Sequence, residues 1–167
     1  MSLAATEIRA LLGLAPHPTC GFFAETFLSP RTIPAVALPA AYGGDRSQGS
    51  VLYFMVTPEA HMALHRIRAD QMYHHYLGDP LEVLLLHGDG HGELATVGDD
   101  LAAGMRPQLF IPGGTFHVSR VRPGGAYALL GTTAWPAPGP ADFELGDRDA
   151  LIAAHPSLSG TIRAFAP

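Results

Sequence analysis

HMALHRIRADQMYHHYLGDPLEV (residues 61–83) and MRPQLFIPGGTFHVSR (residues 105–120) are the two stretches on which the fold is read. The first sets an imidazole, His65, six residues before a carboxamide, Gln71, with Gly78 seven residues further on. The second closes on Pro112, Gly114 and His117, spaced Pro-x-Gly-x-x-His. Side chains alternate between the two faces of a strand. In a strand running from Gln71 to Leu77, Gln71, Tyr73 and His75 therefore share one face, and His74 and Tyr76 take the other. His65 shares its face with Ala63 and Ile67. With His117 arriving on a third strand after the Pro-Gly-Gly turn, two imidazoles and one carboxamide converge on one interior.

Outward from these stretches the chain keeps a two-residue period. Phe23, Glu25 and Phe27 alternate with Phe22, Ala24 and Thr26. Further strands are expected at residues 35–38, 50–56, 62–67, 71–77, 81–87, 94–97, 108–111, 117–121 and 126–133. Between them lie turn-rich segments such as YGGDRSQG (residues 42–49), the foremost candidate for a mobile loop and equally readable as a lid or plain surface, and HGDGHG (residues 87–92). Many short strands without long intervening helices argue for an all-β sandwich or barrel. Helices are expected only at the ends. One spans residues 6–14, with Thr6 as N-cap and Gly13 as stop, and one or two cover residues 147–155 and 158–164. No internal repeat is visible.

Composition narrows the function classes. At 167 residues, 47% apolar and 15% charged, the chain suits one well-buried domain over residues 1–167. Nineteen glycines and fifteen prolines spread along the sequence fit many turns. The net charge of -5, with no basic cluster, argues against nucleic acid. All ten basic residues are arginine, so lysine Schiff-base and P-loop chemistry is excluded. The single Cys20 excludes an internal disulfide and a cysteine-rich zinc site, and it reads as structural. No apolar run reaches membrane-spanning length and no secretory signal pattern opens the chain, so a cytoplasmic protein is expected.

Neutral imidazole is the commonest protein donor to Zn, Fe, Ni or Cu. His65, Gln71 and His117 are accordingly the candidate ligands for a divalent metal, with Zn, Fe, Ni, Mn and Cu all open. A carboxamide oxygen is a weaker ligand than a carboxylate, and Ile67 offers none. A lone inward histidine is more often a buried imidazole satisfied by hydrogen bonds; a pair on matched motifs reverses that reading. Tyr73, His75 and Glu25 are the candidates for proton transfer. His87 and His91 in HGDGHG read better as a hairpin connection than as a metal tract, and Arg66, Asp70 and Asp79 as surface or turn residues.

The paired motifs resemble a degenerate cupin signature, whose first part ordinarily reads His-x-His, then Glu, then Gly. Ile67 stands at the second histidine and Gln71 at the glutamate. Over residues 6–164 the chain is similar to the small single-domain cupins of the cupin-5 branch. That resemblance rests on His17-Pro18, Gly21-Phe22-Phe23, Glu25-Thr26, Leu64-His65-Arg66, Asp70, His74, Tyr76, Gly78 to Glu82, Gly104, Arg106-Pro107-Gln108, Pro112, Gly114 and Ala141 to Glu144. It implies a double-stranded β-helix (a cupin jelly roll) with short N- and C-terminal helices, a pocket at the barrel mouth and a homodimer. It brings no settled reaction. Gln71 departs from an expected acid, His75 from an aromatic and His117 from a position often not histidine.

The expected function is a small-molecule enzyme acting on a small polar metabolite through a metal held in the barrel, of lyase, isomerase or dioxygenase type. Two alternatives stand beside it. One is a metal-independent epimerase or isomerase with a His/Tyr acid–base pair, and the other is a non-catalytic ligand-binding cupin.

Overall fold

The computed structural model describes residues 3–166. In chain order, helix α1 (Ala5–Leu12) precedes β1 (Ala15–His17), β2 (Gly21–Leu28), β3 (Thr32–Ile33), β4 (Arg46–Ser47) and β5 (Ser50–Val56). The middle of the chain supplies β6 (His65–Ile67), β7 (Asp70–Gly78), β8 (Leu81–Leu86) and β9 (Gly92–Val97). Strands β10 (Gln108–Ile111), β11 (Phe116–Val121), β12 (Ala128–Trp135) and β13 (Phe143–Leu145) follow, and helices α2 (Arg148–Ala154) and α3 (Ser159–Phe165) close the described chain.

The strands form a six-stranded sheet, ordered β1-β2-β5-β12-β7-β10, facing a five-stranded sheet, ordered β13-β6-β11-β8-β9. Each of these ladders is antiparallel. Consecutive strands often lie in opposite sheets, as β6 and β7 do, which is the winding of a jelly roll. Period-two alternation builds the core between the sheets: Leu81, Val83 and Leu85 of β8 point inward to Phe54, Tyr73, Ile111 and Leu130. The other face of β8 is buried too, because Leu84 and Leu86 pack under Leu151, Ile162 and Phe165 of the terminal helices. A strand covered on both faces reads as a nearly continuous apolar run, and LEVLLL does. Helix α1 covers the opposite outer face, with Ile8 against Met55 and Leu129.

Several expected elements shift. Residues 35–38 form no strand: Ala35–Ala37 is a 3₁₀ turn between Pro34 and Pro39, and Val36 is 93% exposed, so it has no sheet face to fill. Helix α1 starts after Ala4, whose backbone N–H donates to the Glu7 carboxylate at 2.8 Å, so Thr6 lies inside the first turn rather than capping it. Gly13 does stop the helix, in the left-handed conformation at φ 64°. The last long strand begins at Ala128, two residues late, because the Asp79 carboxylate accepts from the backbone N–H groups of Ala126 and Tyr127. The segment 42–49 is tied down: Arg46 donates to Asp142 at 2.8 Å and to the Tyr42 carbonyl at 2.7 Å. HGDGHG is a hairpin connection between β8 and β9, closed by the His87 N–H on the His91 carbonyl.

The turn that delivers His117 is pinned from β6 and β7. The Asp70 carboxylate accepts the Gly113 N–H at 2.8 Å, and Gly114 donates its N–H to the Ile67 carbonyl at 2.7 Å. Gly114 has φ 81° with open space around it, whereas a Cβ on Gly113 would run into the Arg68 carbonyl oxygen. The variable position of Pro-x-Gly is thus the sterically critical one. Gly114→Ala is expected to cost about 1–2 kcal/mol through its left-handed backbone. Gly113→Ala is expected to cost more, since backbone must move; urea unfolding that ranks the two the other way overturns this account of the turn.

Candidate functional site

β6 and β11 are antiparallel neighbours, and His117 pairs directly across from His65. Side chains directly opposite on one face must touch, and the two imidazole rings lie 4.4 Å apart, centre to centre. Each ring is oriented by a backbone carbonyl two residues back. His65 Nδ1 is 2.8 Å from the Ala63 oxygen and His117 Nδ1 is 3.2 Å from the Thr115 oxygen. A carbonyl can only accept, so both rings carry their proton on Nδ1 and leave Nε2 as a bare lone pair.

The two lone pairs have different surroundings. His117 is fully buried, and its Nε2 accepts from the Tyr73 hydroxyl at 3.1 Å and the Gln71 amide at 3.3 Å. His65 Nε2 has no protein partner among the described residues and is not sealed off. It reaches a cavity of about 460 Å³ between the sheets, whose walls include Gln71, Tyr73, Ile67, Met62, Phe54 and Phe143. β7 supplies both Gln71 and Tyr73 by two-residue alternation. Tyr73 also lies 3.4 Å from the Met62 sulfur.

The structure therefore brings His65, Gln71, Tyr73 and His117 together. Glu25 stands on the same cavity wall, exposed to solvent. His75 does not join them. It sits four residues along β7 from Gln71, about 13 Å at ~3.3 Å per residue, and its Nε2 donates to the Asp79 carbonyl at 3.2 Å. One cavity histidine is given no site role by the sequence, although it belongs to the motifs that carry the resemblance: His17, at the end of β1, lines the same space. Besides the His17-Pro18 motif, its local signal is Thr19 two residues later, whose backbone N–H and hydroxyl lie 3.3 and 3.0 Å from His17 Nδ1.

The sequence profile of the family described as Cupin superfamily (DUF985) matches residues 6–146. This chain belongs to the cupin superfamily. The cupin superposes on a hypothetical protein from Leishmania major with a TM-score of 0.87 at 25% identity, covering 98% of this chain and 99% of that one. Protein SO0799 of Shewanella oneidensis gives a TM-score of 0.85 at 27% identity, with 99% of each chain covered. The uncharacterized protein YML079W of Saccharomyces cerevisiae is 28% identical over 116 residues, 66% of this chain and 57% of the yeast protein. The cupin thus spans just over half the length of that curated relative.

The donors available to a divalent metal in this cupin are two neutral imidazoles and a carboxamide, with no carboxylate among them. Among the described residues no group of three or more His, Cys, Asp or Glu side chains is arranged to hold an ion. The His117 lone pair is already engaged by Tyr73 and Gln71. A buried dication there would have no carboxylate in its donor set, and burying charge without a paired ligand is costly. The set fits a tightly held divalent ion poorly and suits neutral proton-transfer groups better.

Charge is suppressed throughout the site. Burial lowers the pKa of His65, with a smaller lowering from His17. Burial, reinforced by the neighbouring His65, lowers His117 well below an ordinary histidine. Burial also pushes the Tyr73 phenol far up and the Cys20 thiol to about 12, so Cys20 is no thiolate nucleophile at neutral pH. Groups that bind protons less readily when folded must gain them on unfolding. The resulting stability is full above the unfolded histidine value of about 6.5 and is lost as pH falls below it. The urea midpoint should therefore drop between pH 7 and 5, and drop less in His117→Gln; a midpoint flat across that window in the parent protein contradicts the neutral pair.

Proposed function

We propose that this cupin is a metal-independent proton-transfer enzyme of isomerase or epimerase type, acting on an uncharged small molecule in the barrel cavity. His65 is the general base and Tyr73 the general acid. The observation that carries this reading is the His65 tautomer: Nδ1–H is held on the Ala63 carbonyl at 2.8 Å, which leaves Nε2 bare toward the cavity. A neutral imidazole so held is ready to take a proton at physiological pH.

His65 Nε2 takes a proton from the substrate, and the electron pair of the broken C–H bond stays on the substrate. Tyr73 then turns its one hydroxyl proton away from His117 Nε2 and delivers it to that anion at another face or position, its O–H bond breaking as the new C–H bond forms. Burial keeps the phenol protonated, so it gives its proton only to a strong base such as a carbanion or enolate. Transfer of one proton from His65 back to Tyr73 through solvent resets the site. His117 and Gln71 are positioning residues. His117 holds the Tyr73 hydroxyl at 3.1 Å, and Gln71 steadies His117 at 3.3 Å.

The cavity supports an uncharged substrate rather than an acidic one. No arginine lines it, Glu25 is its one acidic residue, and much of its wall is Phe, Leu, Ile, Met and Pro. The small polar metabolite expected from the sequence becomes a molecule with an apolar body and a polar end. Metal-assisted conversion on His65, Gln71 and His117 is the second reading. It requires Gln71 and Tyr73 to release the His117 lone pair, and stoichiometric Zn, Fe, Ni, Mn or Cu in protein purified without chelator selects it.

A substrate-tolerant assay is solvent deuterium incorporation, read by NMR across a panel of carbonyl compounds. His65→Gln and Tyr73→Phe should each slow exchange or turnover by about 10²–10⁴-fold, with chelator having no effect. Because His65 must be unprotonated and its pKa is lowered, the acid limb of kcat/KM should lie below pH 6.5. Full activity in both variants, or abolition by chelator, overturns the proposal.

A further inference from the structure

His17 and His65 line one cavity with opposite tautomers. The Thr19 backbone N–H lies 3.3 Å from His17 Nδ1, and a backbone N–H can only donate, so His17 Nδ1 is the acceptor and its proton sits on Nε2. The Thr19 hydroxyl, 3.0 Å from the same nitrogen, adds a second donor. The Ala63 carbonyl forces the reverse arrangement on His65. The two tautomer-setting segments are themselves joined. Ala63 N–H donates to the Thr19 carbonyl at 2.9 Å, and Cys20 bridges Met62 in antiparallel fashion. One pair of backbone contacts therefore fixes both rings, leaving His17 Nε2–H a donor and His65 Nε2 an acceptor, neither with a protein partner among the described residues.

We propose that His17 and His65 form a donor–acceptor clamp for an uncharged carbonyl group: His17 Nε2–H holds the carbonyl oxygen while His65 Nε2 faces the hydrogen on the adjacent atom. The inference rests on the proposed proton-transfer reading and names its substrate class, carbonyl compounds with an apolar body. When His65 removes the proton next to the carbonyl, the electron pair moves onto the carbonyl oxygen, and His17 donates to the enolate that forms. A neutral imidazole is a suitable electrophile, since it stabilises the enolate without being consumed as an acid. A carboxylate could accept from His17, but no cationic side chain on the cavity wall balances its charge, and the group itself carries no N–H or C–H for His65. His17 itself is kept neutral by burial.

A carboxamide presents C=O and N–H on adjacent atoms, as the substrate presents C=O and the departing hydrogen, so it serves as an unreactive probe. Benzamide and δ-valerolactam should bind the full-length protein, whereas N,N-dimethylbenzamide and benzoate should bind at least about ten-fold more weakly. His17→Phe should weaken benzamide by at least about ten-fold, and His17→Gln, whose amide can donate, should recover part of the loss. In long-range ¹H–¹⁵N spectra of ¹⁵N-histidine protein, His17 should show a protonated Nε2 and His65 a protonated Nδ1, with both signals moving on benzamide addition. The same tautomer at both rings, equal binding of all four probes, or no binding of either the amide or the lactam at millimolar concentration overturns the clamp. These outcomes separate from the parent reading: wrong tautomers at His17 leave His65/Tyr73 chemistry standing, and unchanged turnover in His65→Gln removes the reaction while amide discrimination in the parent protein persists.

Discussion

The pairing of β6 with β11 is the constraint on which the site depends. It sets His65 directly opposite His117, and the carbonyls of Ala63 and Thr115 turn both rings the same way. β7 passes on the other sheet, and its alternation brings Gln71 and Tyr73 up to the His117 lone pair. One ring is thereby enclosed and satisfied, and the other is left with a bare nitrogen on the cavity. Cross-strand register, rather than any single strong bond, produces the division of labour between two chemically identical side chains.

Electrostatics follows from that burial. Outside the cavity the buried charge is paired: the Asp142 carboxylate is met by Arg46 and Arg68. Apart from the carboxylate of Glu25 at its exposed side, the cavity wall holds neutral histidines, a tyrosine and a glutamine among apolar side chains. In such surroundings hydrogen-bond donors and acceptors are worth more than in water, and their tautomers matter more than their charges. A dication on His65, Gln71 and His117 would find no carboxylate among its donors and one lone pair already engaged, which is why the sequence expectation of a metal and the geometry of the donors diverge.

The legible parts of the sequence were those governed by local rules. Two-residue alternation gave most strands, Gly13 gave a helix stop, and the spacing of His65, Gln71, Gly114 and His117 pointed to one interior. Misreadings came where tertiary contacts outvoted local pattern. Residues 35–38 are apolar enough for a strand but are flanked by prolines and meet no partner. Segment 42–49 has the composition of a free loop, yet Arg46 is held on Asp142, ninety-six residues away in sequence. His75 shares the face of Tyr73 but lies too far along β7 to reach the cavity.

The sequence by itself determined that this is an all-β chain of the cupin superfamily, that lysine and disulfide chemistry are absent from it, and that two imidazoles and a carboxamide meet inside. The chemistry excluded follows from composition, the all-β class and the convergence from periodicity and spacing, and the family from resemblance to known cupin motifs. Only the tertiary structure decided which nitrogen of each ring is free, that His17 joins the cavity while His75 does not, and that Gln71 bonds His117. Each of these depends on which backbone carbonyl or N–H lies within about 3 Å of a side chain, and that distance is set by strands remote in sequence.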